Sequence, residues 1–210
     1  MTVTRRFRSR ASFRRRPGQK PPRTVTLIVC EGKTERLYFD ALRIRLRLAA
    51  AEVAIPDSTG SAPISVVNYA IDKSKTREGY DFIFCVIDRD PKAESFERAL
   101  DKLHANSKRQ PLTAIVSVPC FEYWRLLHFE ATDRPFHDCK EVIDQISRHV
   151  PRYEKTDLKQ IEDTLNRIEQ ALAHAVRLFP SPDPQFNNPH TSVHRLVQHL
   201  QGIAAQDPRA

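Results

Sequence analysis

Four short apolar segments recur through the first half of the chain, at residues 24–30, 52–55, 81–87 and 113–118. The first and third are almost continuously apolar, which is typical of strands that helices cover on both faces of a parallel sheet. Between successive segments the apolar residues recur at helical spacing instead. This alternation predicts parallel strands joined by right-handed crossovers, so we expect an α/β fold built on a parallel sheet of about four strands.

The predicted helices form two groups. In the first half of the chain they cover residues 34–48, 63–75, 93–106 and 121–129. Beyond residue 140 the pattern predicts helices alone, over 140–149, 157–178 and 192–203, with a Pro- and Asn-rich loop at 180–189 before the last of them. We therefore predict an arm over 1–23, an α/β domain over 24–130 and a C-terminal helical extension over 131–210.

Acidic residues follow the first and third predicted strands at the point where each strand ends. Glu31 and Glu35 come after the first strand, and Asp88 and Asp90 come after the third. Ligands of open α/β sheets gather at the carboxyl ends of the strands, so these side chains are expected to face one cleft. Carboxylates without accompanying Cys or His residues suit Mg²⁺ or Mn²⁺. An acidic turn without a ligand is the alternative for Asp-x-Asp, and Glu31 at a neighbouring strand end favours the metal site.

The same residues resemble a known domain. Glu-Gly-x-x-Glu at 31–35, followed by Asp-x-Asp at 88–90, is similar to the Toprim domain, which topoisomerases, bacterial primases and the overcoming-lysogenization-defect nucleases share. Longer segments resemble the RloB-like family, a Toprim-like group associated with bacterial restriction-modification and abortive-infection loci. These segments are residues 27–35, 60–63, 117–124 and 188–194.

The resemblance implies a Toprim-like, Rossmann-like sheet and a role for each acid. Glu31 would act as a general base or acid, or as a direct metal ligand, while Asp88 and Asp90 would hold Mg²⁺ or Mn²⁺. Glu122 follows the fourth predicted strand and matches the extra acid that Toprim-like nucleases often carry. An ATPase often accompanies members of this family, so a co-encoded ATPase is an expected partner.

Two residues after the first strand have both a functional and a structural interpretation. Glu35 lies one helical turn beyond Glu31 and can face the same cleft, although a surface glutamate is also favourable near a helix N-terminus. Lys33 could stabilise the charge that develops on a phosphorane, or it could be solvated. Gly-Lys-Thr at 32–34 is not a P-loop, because Leu27 stands where that motif requires a glycine.

The positive charge of the protein is concentrated at its N-terminus. Residues 1–23 contain nine Arg and Lys residues and no acid, and subtracting nine from the net charge of +8 leaves −1 for residues 24–210. Such a segment repels itself and has little to bury, so we expect a disordered arm. A solvated tail is one interpretation, and contact with nucleic-acid phosphates is the favoured one. The arginines expected to bind nucleic acid are Arg5, Arg6, Arg8, Arg10, Arg14, Arg15 and Arg16.

The length of the apolar segments and the spacing of the cysteines indicate where in the cell the protein is expected. No apolar run approaches the roughly 18–20 residues that span a bilayer, and the arginine-rich N-terminus lacks the apolar region of a secretory signal, so no membrane partner is expected. The four cysteines show no C-x-x-C spacing, and Cys30 and Cys85 fall inside predicted strands. We expect these two to be reduced core residues, which favours a cytoplasmic location and argues against a structural zinc site.

These features predict a Toprim-like, Mg²⁺-dependent nuclease that cuts DNA or RNA phosphodiesters in defence against phage. The metal-binding set would be Asp88, Asp90, Glu35 and Glu122, and the catalytic residues would be Glu31 and Lys33. The alternative is a non-catalytic subunit whose cleft binds a nucleotide or nucleic acid and whose helical region binds an ATPase. Retention of Glu31 together with both aspartates favours the enzyme, because a binding module does not need that set.

Overall fold

The computed structural model describes residues 24–56, 62–76, 79–89, 95–108, 110–181 and 185–206. The predicted basic arm over 1–23 and Asp90 lie outside these ranges. The nucleic-acid contacts predicted for the arm and the metal contact predicted for Asp90 therefore stay predictions. No helix within the described ranges is both long enough and apolar enough to cross a membrane.

A single mixed sheet organises the described part of the chain. Its strands are β1 (Thr26–Cys30), β2 (Ala51–Ala54), β3 (Phe82–Asp88), β4 (Leu112–Val118) and β5 (His190–Thr191). They lie in the order β2-β1-β3-β4-β5, and the first four are parallel, which confirms the predicted α/β fold. The prediction of about four strands missed β5, which pairs antiparallel with β4.

The fifth strand depends on contacts between segments far apart in the chain. Its two residues are too few to show a strand pattern, and its pairing opposes Thr191 to Ser117. The backbone N–H of Val116 also donates to Ser192 Oγ at 2.8 Å. Just before β5, Asn188 bridges Phe136: the Asn188 Oδ1 accepts from the Phe136 N–H at 3.3 Å, and its Nδ2 donates to the Phe136 carbonyl at 2.6 Å. The contacts of β5 and Ser192 attach the segment that resembles the RloB-like family to the edge strand β4, and Asn188 attaches its start to Phe136.

Eight helices surround the sheet in the described residues. They are α1 (Lys33–Arg45), α2 (Pro63–Ser74), α3 (Ser95–Ser107), α4 (Glu122–Leu126), α5 (Cys139–Ser147), α6 (Leu158–Leu165), α7 (Ile168–Leu178) and α8 (Val193–Gln206). The single helix predicted over 157–178 is wrong, because the chain leaves helical geometry at Arg167, where φ is −107° and ψ is 17°. Asn166 caps the end of α6, and its Oδ1 accepts from Arg45 Nη1 of α1 at 2.8 Å.

Helices cover both faces of the sheet, as the continuous apolar strands predicted. Leu27 and Val29 of β1 pack with α2 and α3 in one apolar cluster. Ile28 and Cys30 point to the opposite face, because side chains alternate along a strand, and pack in a second cluster with α1 and the helices that follow β4. The predicted extension over 131–210 contributes to this second cluster. The boundary predicted at residue 130 stays a prediction.

The strand order creates a crevice at one place in the sheet. The chain runs from β1 to β2 on one side and then crosses β1 to form β3 on its other side. The connections that leave the carboxyl ends of β1 and β3 therefore diverge. Such a switch point is where open α/β sheets bind ligands.

Candidate metal centre

Glu31 and Asp88 lie together at the switch point. Glu31 follows the last residue of β1, and Asp88 is the last residue of the neighbouring β3. The Asp88 backbone N–H donates to Glu31 Oε2 at 3.1 Å, and the Glu31 N–H donates to the Val86 carbonyl at 3.2 Å. The parallel register of β1 and β3 thus brings together two acids that are 57 residues apart in the sequence.

Asp88 carries a buried oxygen that is not satisfied within the described residues. The Phe121 backbone N–H donates to the Asp88 carboxyl group. Asp88 Oδ1 is buried and has no hydrogen-bond partner among the described residues, although other atoms of the residue reach solvent. Burial raises the pKa of Asp88 well above its usual range, and the charges of Glu35, Glu122 and Glu31 raise it further. A buried carboxylate in this setting is unfavourable until a proton or a cation reaches it.

Glu35 is the buried acid at the start of α1. It is 7% exposed, so the surface alternative considered for this residue is wrong. Its side chain folds back to accept hydrogen bonds from its own backbone N–H and from that of Gly32, which precedes the helix. A Cβ at Gly32 would lie 2.9 Å from Glu35 Oε2, so glycine leaves room for this arrangement. Burial raises the Glu35 pKa to about 7, and the charge of Glu122 adds to the rise.

Glu122 is the fourth acid of this region and is paired with a lysine. It is the first residue of α4, after β4, and is 3% exposed. Lys155 lies in the loop between α5 and α6, and its Nζ is 2.8 Å from Glu122 Oε1. The charge of Lys155 also lowers the Glu35 pKa, against the larger effects that raise it. Lys155 is therefore the cation that the fold adds to the cluster of acids.

A buried arginine holds the loop that carries Lys155. Arg125 of α4 is 1% exposed, and its Nη1 donates to the Lys155 carbonyl at 2.9 Å. Its Nη2 lies 3.4 Å from Thr164 Oγ1 of α6, and its guanidinium lies 4.8 Å from the centre of the Tyr153 ring. These contacts fix the 153–155 segment against α4, next to Glu122.

A pair of cysteines lies on the other side of Glu122. Cys120 precedes α4 and Cys139 begins α5, and the two are joined as a disulfide. Cys139 Sγ lies 3.1 Å from Glu122 Oε2 and 3.8 Å from Lys155 Nζ. Cys30 and Cys85 are free and buried, as predicted.

The carboxylates at the switch point suit a hard divalent cation, because oxygen ligands prefer such ions and because their negative charge is not balanced. The unsatisfied Asp88 Oδ1 and the raised pKa values of Asp88 and Glu35 reflect negative charge that a cation would balance. The carboxylate oxygens of these residues do not converge on a single position. Within the described ranges, the only trio of candidate ligands with all donor atoms inside 4.8 Å is Cys120, Glu122 and Cys139. Residues that hold two ions roughly 3.5–4 Å apart spread over a wider region than the ligands of one ion.

The predicted residues differ in where the fold places them. Glu31, Glu35 and Glu122 all lie close enough to Asp88 for their charges to act on it. Lys33, predicted to be catalytic, is exposed at the first residue of α1 and makes no ion pair with another described residue. Lys155 and the cysteine pair were not predicted from the sequence, because no motif marks any of them and distant elements bring them to Glu122.

The fold and this site define a class of protein: a Rossmann-like α/β protein with a cluster of acids at the switch point of its sheet. A family model described as RloB-like protein matches residues 26–200, and the chain belongs to that family. This confirms the resemblance inferred from the motifs. No curated protein and no solved structure matches the chain.

Proposed function

We propose that this RloB-like protein is a metal-dependent nuclease that cuts nucleic-acid phosphodiesters in defence against phage. The observation that carries the proposal is Asp88, whose buried and unsatisfied Oδ1 lies at the switch point beside Glu31 and within the field of two further acids. A structural ion pair would have satisfied this oxygen. A carboxylate kept unpaired is what a cation-binding cleft needs.

Each side chain of the site would have a separate role in phosphodiester cleavage. Asp88 and Glu35 would hold the cation, together with Asp90, which remains a prediction. Glu122 was also predicted as a metal ligand, but its Oε1 is paired with Lys155, so we give it no part in holding this cation. Bound Mg²⁺ or Mn²⁺ would lower the pKa of water and neutralise the phosphorane charge. Glu31 sits beside Asp88 and would accept a proton from the attacking water. Lys155 lies at the edge of the acidic cluster, and its ammonium would favour a phosphate there rather than a neutral ligand.

A binding subunit without catalytic activity is the second candidate. The observation that favours it is that the described acids do not gather within 4.8 Å around one ion, so a bound phosphate would have to complete the coordination of a single cation. In that case the acidic cleft would bind a nucleotide or nucleic acid through a cation, and the helices after β4 would contact a co-encoded ATPase. This candidate needs the same cation but predicts no bond cleavage.

A cleavage assay with matched aspartate variants tests the proposal. Purified protein is incubated with Mg²⁺ or Mn²⁺ and labelled DNA, tRNA or other RNA, with and without a co-encoded ATPase. We expect metal-dependent cleavage that Asp88→Asn abolishes. Asp101→Asn is the control, because Asp101 is an exposed aspartate on α3 outside the site.

Two results would contradict the nuclease and are distinct from a failure to fold. The first is equal cleavage by Asp88→Asn and Asp101→Asn, which would place the activity elsewhere or in a contaminant. The second is the absence of cleavage by the wild type with every metal and partner, combined with a metal-induced rise in Tm that Asp88→Asn removes. That second result would support the binding subunit.

A further inference from the structure

Glu122 lies where the acidic cluster around Asp88 meets a pair of cysteines, and with Cys120 and Cys139 it forms a trio of different chemistry. Its three donor atoms lie within 4.8 Å of one another, and Cys120 and Glu122 are buried. The two sulfurs make it a soft site, whereas the acids at the switch point are hard ligands. The proposed nuclease activity gives no role to either of the two cysteines.

We propose that Cys120, Cys139 and Glu122 bind Zn²⁺ when the two cysteines are reduced. Two thiolates and one carboxylate are a zinc ligand set, and three protein ligands leave the fourth position of a tetrahedral ion open. The disulfide seen between the cysteines is the metal-free, oxidised form of the same site. The proposed zinc ligands do not include Asp88 or Glu35, the residues proposed to hold Mg²⁺, although the charge of Glu122 also acts on those two acids. Zinc binding does not depend on nuclease activity.

The backbone positions of the cysteines are compatible with both forms. Their Cα atoms are 5.6 Å apart. A tetrahedral zinc ion with Zn–S bonds of about 2.3 Å holds its two sulfurs about 3.8 Å apart, a change that side-chain rotation can supply. The two cysteines come from different elements, the turn before α4 and the first residue of α5. For this reason the sequence shows no C-x-x-C motif, and the expectation from cysteine spacing that the chain lacks a zinc site does not hold for this pair.

In the oxidised form, no proton or metal ion lies between Glu122 and Cys139, although the two side chains are in contact. Glu122 Oε2 is 3.1 Å from Cys139 Sγ. A disulfide sulfur carries no proton, so a buried carboxylate oxygen gains no hydrogen bond from it. In the reduced protein a thiol proton or a metal ion can occupy the space between these two atoms. The carboxylate is thus placed as a ligand for whatever the sulfurs bind.

Charge balance favours a divalent cation over free thiolates. In the oxidised form Glu122 and Lys155 neutralise each other, at an Nζ–Oε1 distance of 2.8 Å. Two thiolates would leave the cluster with a net charge of −2, which a single Zn²⁺ cancels. Lys155 Nζ lies 3.8 Å from Cys139 Sγ, and Cys139 is the first residue of the nine-residue helix α5. A cation and the positive end of the helix dipole therefore both lie beside the sulfur that would bind zinc.

Oxidation releases the metal by a balanced exchange. A low-molecular-weight disulfide, such as oxidised glutathione, accepts two electrons as its S–S bond breaks and becomes two thiolates. Cys120 and Cys139 supply those electrons as their sulfurs join. Zn²⁺ leaves with its charge unchanged, and the Glu122–Lys155 pair remains neutral.

Metal binding by the reduced, full-length protein tests the proposal. Native mass spectrometry counts zinc per chain, and Co²⁺ serves as a spectroscopic probe because thiolate ligands give it an intense charge-transfer absorption in the near ultraviolet. We expect one zinc per reduced chain and a cobalt spectrum with thiolate absorption, both lost after treatment with oxidised glutathione. X-ray absorption of the zinc-loaded wild type is expected to show two sulfur ligands at about 2.3 Å.

Three variants test whether the zinc ion binds to this pair of cysteines. Cys139→Ala should weaken zinc binding at least tenfold, whereas Cys85→Ala, which removes a buried cysteine of β3, should not. Asp88→Asn should retain the thiolate–cobalt absorption, because Asp88 is not among the proposed zinc ligands. A reduced wild type that binds no zinc would overturn the proposal. Zinc binding that is lost in Asp88→Asn but kept in Cys139→Ala would also overturn it. So would an X-ray absorption spectrum of the bound zinc that shows only oxygen and nitrogen ligands.

Discussion

The raised pKa of Glu35 predicts how strongly the affinity for a cation at the switch point depends on pH. Its carboxyl group has a pKa raised to about 7 by burial, compared with 4.5 for an ordinary glutamate. A cation must displace the proton. The deprotonated fraction rises from about one in eleven at pH 6 to about ten in eleven at pH 8, so affinity should increase about tenfold. The raised pKa of Asp88 acts in the same direction.

Calorimetric titration with Mn²⁺ at pH 6, 7 and 8 measures this increase. Glu35→Gln keeps an oxygen that can accept from the Gly32 N–H but removes the titrating group, so its Mn²⁺ affinity should be weaker and should lose about one tenfold step of the pH dependence. Asp101→Asn should titrate as the wild type does. Equal Mn²⁺ binding by the wild type at pH 6 and pH 8, or the full pH dependence in Glu35→Gln, would show that the Glu35 proton does not compete with the cation.

Three further predictions address catalysis, the arm and the core. Glu31→Gln should lower cleavage by about 10²–10⁴-fold with little change in substrate affinity, measured by single-turnover kinetics; an unchanged rate would exclude Glu31 as the general base. Deletion of residues 1–23 should weaken nucleic-acid binding and flatten its dependence on salt, measured by fluorescence anisotropy; an unchanged slope would assign the arm another role. His128 is buried with its pKa lowered to about 3, so the folded state binds fewer protons than the unfolded state between pH 6.5 and 3. The free energy of unfolding should therefore fall as the pH drops, by about 2 kcal/mol between pH 8 and pH 5, and His128→Gln should reduce that loss in urea titrations.

The contacts of His128 explain why it stays neutral. Its Nδ1 lies 3.1 Å from the Trp124 carbonyl, which can only accept a hydrogen bond, so Nδ1 carries the proton. Its Nε2 then accepts from the Tyr38 hydroxyl at 3.1 Å. Both hydrogen bonds are made by the uncharged ring. This network joins α1 to α4.

The helices after β4 contribute to the site as well as to the core. The loop between α5 and α6 supplies the Lys155 ammonium that pairs with Glu122, and α5 begins with Cys139. A truncation at residue 130 would therefore remove part of the site. Functional tests should use the full chain, including any comparison of the nuclease with the binding subunit.

Local pattern by itself determined the elements that carry the acids. β1 and β3 are apolar runs long enough to be recognised as buried strands, and Glu31 and Asp88 follow directly from where those runs stop. The α/β class followed from the alternation of strand and helix. The family assignment followed from short motifs in the same segments. Each of these features depends on neighbours within a few residues, so the sequence alone was sufficient to predict them.

Only the tertiary structure decided what surrounds those acids. Lys155 reaches Glu122 because Arg125 holds its loop, Cys120 meets Cys139 across two elements, and α6 ends where Asn166 contacts α1. The two-residue strand β5 exists only through its pairing with β4. None of these contacts leaves a periodic signal, because each joins groups that are distant in sequence and depends on the packing of several helices on one sheet face.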